Sequence, residues 1–423
     1  MKVSLIREFY SILKNLMKTS KIFTLVTMII LAIQTASLFR SFPSNPACGR
    51  VLNVFANLKV LINCDSAVFM KDAQDTSRLI DGESVYQDRP AHAFTVSALG
   101  NLMKVFGFPN IGRAITGNSG EIIVYQSAYY FSYLILNLLI VLVAANLALR
   151  FIHSGIGAIP VYEQACISLI TILLVSANEL TKSFFWTPHS QMFNILLPVL
   201  AITLISRRQE VNTLKRYLSI SSGIVVLMFY YPMYGILLPI LLFSSYSKFL
   251  KKSLLIFVPL VLFLIYPKTL EFLGGSYSNW AISNFRQYVW IIDALKQGNI
   301  FDRSISNLSS FLSTFPVIPS VLILITGVLV LGIAPTFGKN RFTIISEAAP
   351  YLVFLAVYLA ALFTMGFYAR RLTLGPFIFL ELFILRMGIT LAGNHFTKLR
   401  LLAINSLLIL LIISWVWTNG PLE

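Results

Sequence analysis

Apolar residues run through this chain in long blocks separated by short polar clusters. "IFTLVTMIILAIQTASLF" and "SSGIVVLMFYYPMYGILLPILLF" are two such blocks, and neither holds a charge. A helix needs roughly 20 apolar residues to cross a hydrocarbon core of about 30 Å, with every backbone polar group bonded inside the segment. The blocks predict spans near 22–40, 122–148, 158–177, 189–206, 217–231, 233–247, 253–267, 310–334, 349–367, 372–392 and 399–417. The fold class expected is an all-α polytopic membrane protein of about 11 transmembrane helices, forming one transmembrane domain over 1–423.

The fifth and sixth spans are short and meet at "YYPMYG", where Pro232 either kinks one helix or separates two. Separation returns "KFLKK" to the side that holds the other basic clusters, and is the reading adopted. Shorter amphipathic patterns lie outside the spans. Residues 1–20 place Leu5, Ile6, Phe9, Ile12, Leu13 and Leu16 at helical spacing among lysines and an arginine, which suits a helix on the membrane surface. In the first loop, 41–120, "RVLNVFANLKVLIN" and "AFTVSALGNLMKVFGF" are expected to be interfacial helices of the same kind. A second long loop is expected over 268–307.

Composition strengthens the membrane reading: 57% of residues are hydrophobic and 12% charged, against about 25% charged in soluble domains. The formal net charge of +16 does not imply nucleic acid. It is spread over short clusters between apolar runs: Arg207, Arg208, Lys215 and Arg216, then Lys248, Lys251 and Lys252, then Lys398 and Arg400. Cytoplasmic loops carry such clusters. This orients the chain with its N-terminus in the cytoplasm of a plasma (inner) membrane and its C-terminus outside.

Charge of the other sign is concentrated. Five of the seven aspartates (Asp65, Asp72, Asp75, Asp81 and Asp88) fall within "CDSAVFMKDAQDTSRLIDGESVYQDRP", and Asp293 and Asp302 share their side of the membrane in this threading. Membrane insertion does not demand that asymmetry, so the outer, extracytoplasmic face is expected to carry the chemistry. Cys48 and Cys64 both lie in the first loop, where an oxidising compartment permits a disulfide; two unpaired cysteines are the alternative. Glu163 and Glu381 fall within spans, where ionisable residues are scarce.

In the first loop, Asp65-Ser66 stands near the membrane end, followed by Gly82, Tyr86, Arg89 and Pro90 and then "FTVSALGNLMKVFGF". This order resembles the GT-C superfamily of integral-membrane glycosyltransferases. Two further echoes are "FYARRLTLGPFIFLEL", with Arg370, Arg371 and Pro376, and the short helix pair around "YYPMYG". Many relatives carry an Asp-Glu pair where this chain has Asp65-Ser66. The resemblance implies a polyprenyl-phosphate-linked sugar as donor, a glycan, lipid or protein as acceptor, and inversion at the anomeric carbon.

Such a transfer needs a base for the acceptor hydroxyl and a partner for the leaving phosphate. Asp65 is the expected general base; it also stands where a helix N-cap would. Asp72 follows on the same helical face and is a substrate-binding candidate. Together the two carboxylates form a candidate site for Mg²⁺ or Mn²⁺, whereas Asp75 and Asp81 suit a solvated face. Arg370 and Arg371 are the first choices for the phosphate, with Arg89, Arg286 and Arg303 behind them. Lys182 and His189, at the ends of their spans, complete the substrate-binding set. Two other functions fit the many-span plan: a polymerase or ligase of lipid-linked oligosaccharides, and a lipid or solute transporter.

Overall fold

The computed structural model describes residues 24–32, 50–55, 58–62, 65–108, 112–116, 122–154, 161–277, 287–315 and 341–392. The candidate span 399–417, Arg286 and both loop cysteines lie outside them. The described chain is predominantly helical. Helix α1 is described over 24–32. Then come α2 (Asp65–Gln74), α3 (Pro90–Val105), α4 (Ser127–His153), α5 (Val161–Ser176), α6 (Glu179–Phe184), α7 (Phe193–Ser206), α8 (Leu214–Met228) and α9 (Phe249–Phe272). The last four are α10 (Val289–Lys296), α11 (Ile300–Ser313), α12 (Arg341–Met365) and α13 (Arg370–Ala392).

Among the described residues, four helices are long and apolar enough to cross a membrane: Ser127–His153, Phe249–Phe272, Ser346–Met365 and Arg370–Thr390. Shorter apolar helices cover Gln164–Ser176, Ser190–Ser206 and Pro232–Phe243. Helix α9 displays Leu254, Phe257, Val258, Leu262 and Ile265 on an exposed face, a surface that suits hydrocarbon better than water.

Three expectations are corrected. The stretch "RVLNVFANLKVLIN" is not a helix but an antiparallel hairpin of β1 (Arg50–Phe55) and β2 (Leu58–Ile62), with Arg50 opposite Ile62. Its valines favour extended backbone, and that preference outweighs the helical spacing. A second hairpin pairs β3 (Gly112–Thr116) with β4 (Ile122–Gln126), so the span expected from 122 begins at Ser127. The sixth expected span is a 3₁₀ helix over Pro232–Phe243 rather than an α-helix. Pro232 and Pro239 each lack a donor N–H there. At its end Lys252 Nζ donates to the carbonyls of Leu242 and Ser244 at 2.6 and 2.8 Å, satisfying orphan acceptors.

The chain runs back and forth between two ends of a bundle. At one end Ala91 N–H bonds to Phe229 C=O and Tyr288 N–H to Met365 C=O, while Gln87 Nε2 donates to Ser276 C=O. At the other, Arg386 bonds to Phe151 C=O and Ser154 Oγ, Ser245 Oγ to Gln209 C=O, and Tyr217 Oη to Lys252 C=O. The clusters Arg207–Arg208, Lys215–Arg216 and Lys248–Lys252 belong to this second end. Helix α4 packs on α7, and both helices bury small residues: Ala144, Ala145 and Ala148 on α4 and Ala201 on α7. Small residues permit the close backbone approach by which helices associate where lipid, not water, is the competitor.

Helices α2 and α3 cover the first end. A separate core of Phe69, Met70, Ala73, Val96, Tyr129 and Tyr133 seats them on the start of α4. Tyr133 Oη donates to Phe69 C=O at 2.7 Å, and the Phe69 ring stacks on Tyr86 at 4.2 Å. Pro90 opens α3 at a position where its missing N–H costs nothing. This seat fixes where Asp65, the first residue of α2, is presented.

Candidate active site

A cavity of about 390 Å³ opens between the covering helices and the ends of the bundle. One part of its lining is charged or polar: Asp65, Asp88, Arg89, His189, Gln191 and Arg371. Another is apolar, with Pro232, Ile236, Phe263, Ala361, Met365 and Phe367. A pocket of this division suits an amphipathic ligand with an anionic head.

Asp65 and His189 form its centre. The short stretch between α6 and α7 turns His189 inward, between the rings of Phe69 and Phe184. His189 Nδ1 accepts from the backbone N–H of Gln191 at 3.1 Å, which leaves the proton on Nε2. That N–H reaches Asp65 Oδ2 at 3.2 Å. Burial pushes the imidazole down to about 4, against its usual 6.5, although the Asp65 carboxylate pulls the other way. The ring is therefore neutral at pH 7 and serves as a fixed donor. Burial would raise Asp65, but the hydrogen bond from His189, the positive charge of Arg371 and the Tyr86 hydroxyl hold it below its ordinary value. Asp65 is an ionised, about one-third exposed carboxylate (35%) facing the cavity.

The arginines divide by partner. Arg370 leaves the cavity for Glu179, meeting its Oε1 at 2.6 Å. Arg89 donates from Nη1 to Ser190 Oγ at 2.6 Å and from Nε to Asp88 Oδ2 at 3.4 Å. Its guanidinium also lies 5.2 Å from the ring centres of both Tyr86 and Tyr231, so Arg89 is held in place on every side. Arg371 has no such commitments among the described residues. Its buried Nε lacks a hydrogen-bond partner, its charge acts on Asp65, and its nearest ring is Phe184 at 5.9 Å. It is the guanidinium available to an anion.

The structure thus brings Asp65, Arg89, His189 and Arg371 to one cavity, while Asp72, Lys182 and Arg370 do not line it. Asp72 is buried; its Oδ2 takes the Ser84 hydroxyl at 2.5 Å and its Oδ1 the Arg78 guanidinium at 3.4 Å. Burial raises it despite those partners. Lys182 is buried on α6 near Glu179, and burial lowers it. The expected cation pair of Asp65 and Asp72 does not fit this arrangement, because the two carboxylates turn to different partners. Among the described residues no group of three or more His, Cys, Asp or Glu side chains could hold a metal ion. Asp75 caps the 3₁₀ turn Thr76–Leu79 through the Ser77 N–H.

Sequence reasoning did not nominate Asp88, Gln191, Tyr231 or Tyr288 as cavity residues. "YQDRP" held the signal for Asp88, since its neighbours Tyr86 and Arg89 were already singled out. Compared with protein-family models, curated proteins and solved structures, the chain shows no match.

Proposed function

We propose that the protein is a GT-C-like glycosyltransferase that moves a sugar from a polyprenyl phosphate to an acceptor at the extracytoplasmic face. The observation that carries this reading is the placement of Asp65, held by neutral His189, in one cavity with uncommitted Arg371 and an apolar wall. The acceptor hydroxyl attacks the anomeric carbon opposite the phosphate, forming the new C–O bond as the C–O bond to phosphate breaks. Its proton goes to Asp65, and the bond pair leaves on the phosphate oxygen facing Arg371. A carboxylate of lowered pKa is a weak base, so proton transfer belongs late in the step, once the hydroxyl has been acidified by bond formation. Arg371 offers a planar fork to the departing phosphate. Inversion follows from a single displacement.

The basic clusters at the end of the bundle away from the cavity support a cytoplasmic assignment for that end. The full threading of eleven spans with the N-terminus inside belongs to the same proposal.

The test is transfer from radiolabelled polyprenyl-phosphate sugars by the purified protein in detergent, wild type beside Asp65→Asn. Loss of transfer in a folded Asp65→Asn variant supports the reading; unchanged transfer removes Asp65 from the role of base. A wild type that transfers nothing from a broad donor panel, yet moves lipid or solute across liposomes, replaces the enzyme with the transporter.

A further inference from the structure

One wall of the cavity is built on disfavoured backbone. Among the described residues, Tyr288 is the only non-glycine residue with positive φ, at 62°. In that region Cβ crowds the neighbouring backbone, and bulky residues are outliers. Glycine or asparagine ordinarily fills such a position.

The surroundings enforce the conformation without using the tyrosine ring. Tyr288 N–H donates to Met365 C=O at 3.1 Å, and Trp290 Nε1–H donates to Thr364 C=O at 3.0 Å. These bonds tie the start of α10 to the last carbonyls of α12. Trp290 also packs on Gly366, whose φ is +71° and where a Cβ would strike the indole. A glycine at 288 would make the same backbone bond with less strain. Among the described residues no hydrogen bond or ring contact engages the Tyr288 side chain, which lines the cavity in a residue 44% exposed. Backbone strain of this sort gathers where a side chain must be presented to a ligand.

We propose that Tyr288 is a ligand-contacting residue whose ring is the platform for a carbohydrate ring, the phosphate of the same ligand being held by Arg371. The proposal rests on the glycosyltransferase reading and deepens it. The phenol offers a flat apolar face to the C–H face of a sugar and a hydroxyl at its rim. Gln287, beside it, and Asp88 and Gln191 in the same lining supply the hydrogen-bonding groups that sugar hydroxyls require.

The experiment measures equilibrium binding of four probes to the full chain in detergent: citronellyl phosphate, and its glucosyl, mannosyl and galactosyl phosphodiesters. Wild type, Tyr288→Gly, Tyr288→Phe and Arg371→Gln are compared, with Tm for each. The expected result is that Tyr288→Gly weakens binding of a sugar-bearing probe by about tenfold, leaves citronellyl phosphate unchanged, and has a Tm equal to or above wild type. Tyr288→Phe keeps the sugar-bearing affinity within about threefold, and Arg371→Gln weakens all probes. The proposal is overturned if Tyr288→Gly binds the sugar-bearing probes as wild type does, or loses citronellyl phosphate equally. A wild type that binds citronellyl phosphate but no sugar-bearing probe also overturns it. If wild type binds none of the four, the glycosyltransferase reading falls with it.

Discussion

Asp65, Arg371 and Arg370 illustrate how partners, rather than residue type, assign roles. Asp65→Asn keeps the shape of the carboxylate and removes its basicity; transfer is expected to fall by about 10²–10⁴, read as kcat on a variant that remains folded. Arg371→Gln removes the uncommitted guanidinium that lines the cavity among the described residues and is expected to lower kcat/KM by roughly 10²–10³. Arg370→Gln makes the contrasting case, since its partner is the buried carboxylate of Glu179. Losing that partner strands a buried charge, so the variant is expected to lower Tm while leaving the KM for donor near wild type. If Arg370→Gln and Arg371→Gln gave the same kinetics, the division of labour drawn between them would be wrong.

Elements matter here through how they are seated. Phe69 is fully buried, lies against Tyr86, His92 and His189, and anchors α2 on α4. Phe69→Ala is expected to cost about 3–5 kcal/mol of stability and to depress transfer as well, because His189, which holds Asp65, loses a ring packed against it. Gly366 plays the equivalent part at the junction of α12 and α13. With φ at +71° and Trp290 against it, Gly366→Ala meets both backbone strain and a collision. Limited proteolysis between α9 and α11 should quicken in this variant, and an unchanged cleavage rate would mean that α10 is held by other contacts. The hairpin β1–β2 shows the limit of pattern reading at this scale. Its apolar positions fit a helical face, but its valines and the pairing of Arg50 with Ile62 decide for strands.

At the scale of the molecule, two histidines are buried among the described residues, His92 and His189, and a fall in pH must charge them. His189 is pushed down to about 4 and His92 to about 3, in both cases chiefly by burial. His92 has neither ring nitrogen hydrogen-bonded and sits among Phe69, Tyr133 and Phe193. Both groups bind protons less readily folded than unfolded, so stability is full above the unfolded value of 6.5 and declines as pH falls from there toward 4 and 3. Asp65, held below 3.8 when folded, adds a loss of the same sign at still lower pH. Thermal unfolding followed from pH 8 to pH 4 should therefore show Tm dropping below about pH 6.5. His92→Phe, which removes the buried ring nitrogens, should flatten that drop. Activity should show no inflection near pH 6.5, because His189 stays neutral there. Cysteines introduced at exposed sites near Arg207 and near Glu83 should react with a membrane-impermeant thiol reagent from opposite sides. Labelling of both from one side would overturn the two-ended arrangement.

Much of the architecture was legible in the sequence because it depends on local quantities. Block length and hydropathy alone mark α4, α9, α12 and α13 as able to cross a bilayer, and the breaks at Pro232 and near Arg207 follow from backbone chemistry and charge. Asp65, Arg89, His189 and Arg371 were nominated from residue type, position relative to the spans and a family resemblance. What the sequence could not decide is partnership. Asp72 has the same charge and helix as Asp65, yet Ser84 and Arg78 take it into the core, whereas Asp65 meets a histidine 124 positions away. Arg370 and Arg371 are adjacent in the chain, but a helix turns successive side chains by about 100°, so one reaches Glu179 and the other the cavity. Burial, tautomer and the unusual backbone of Tyr288 arise only when distant segments pack together, since a side chain's environment is set by its neighbours in space.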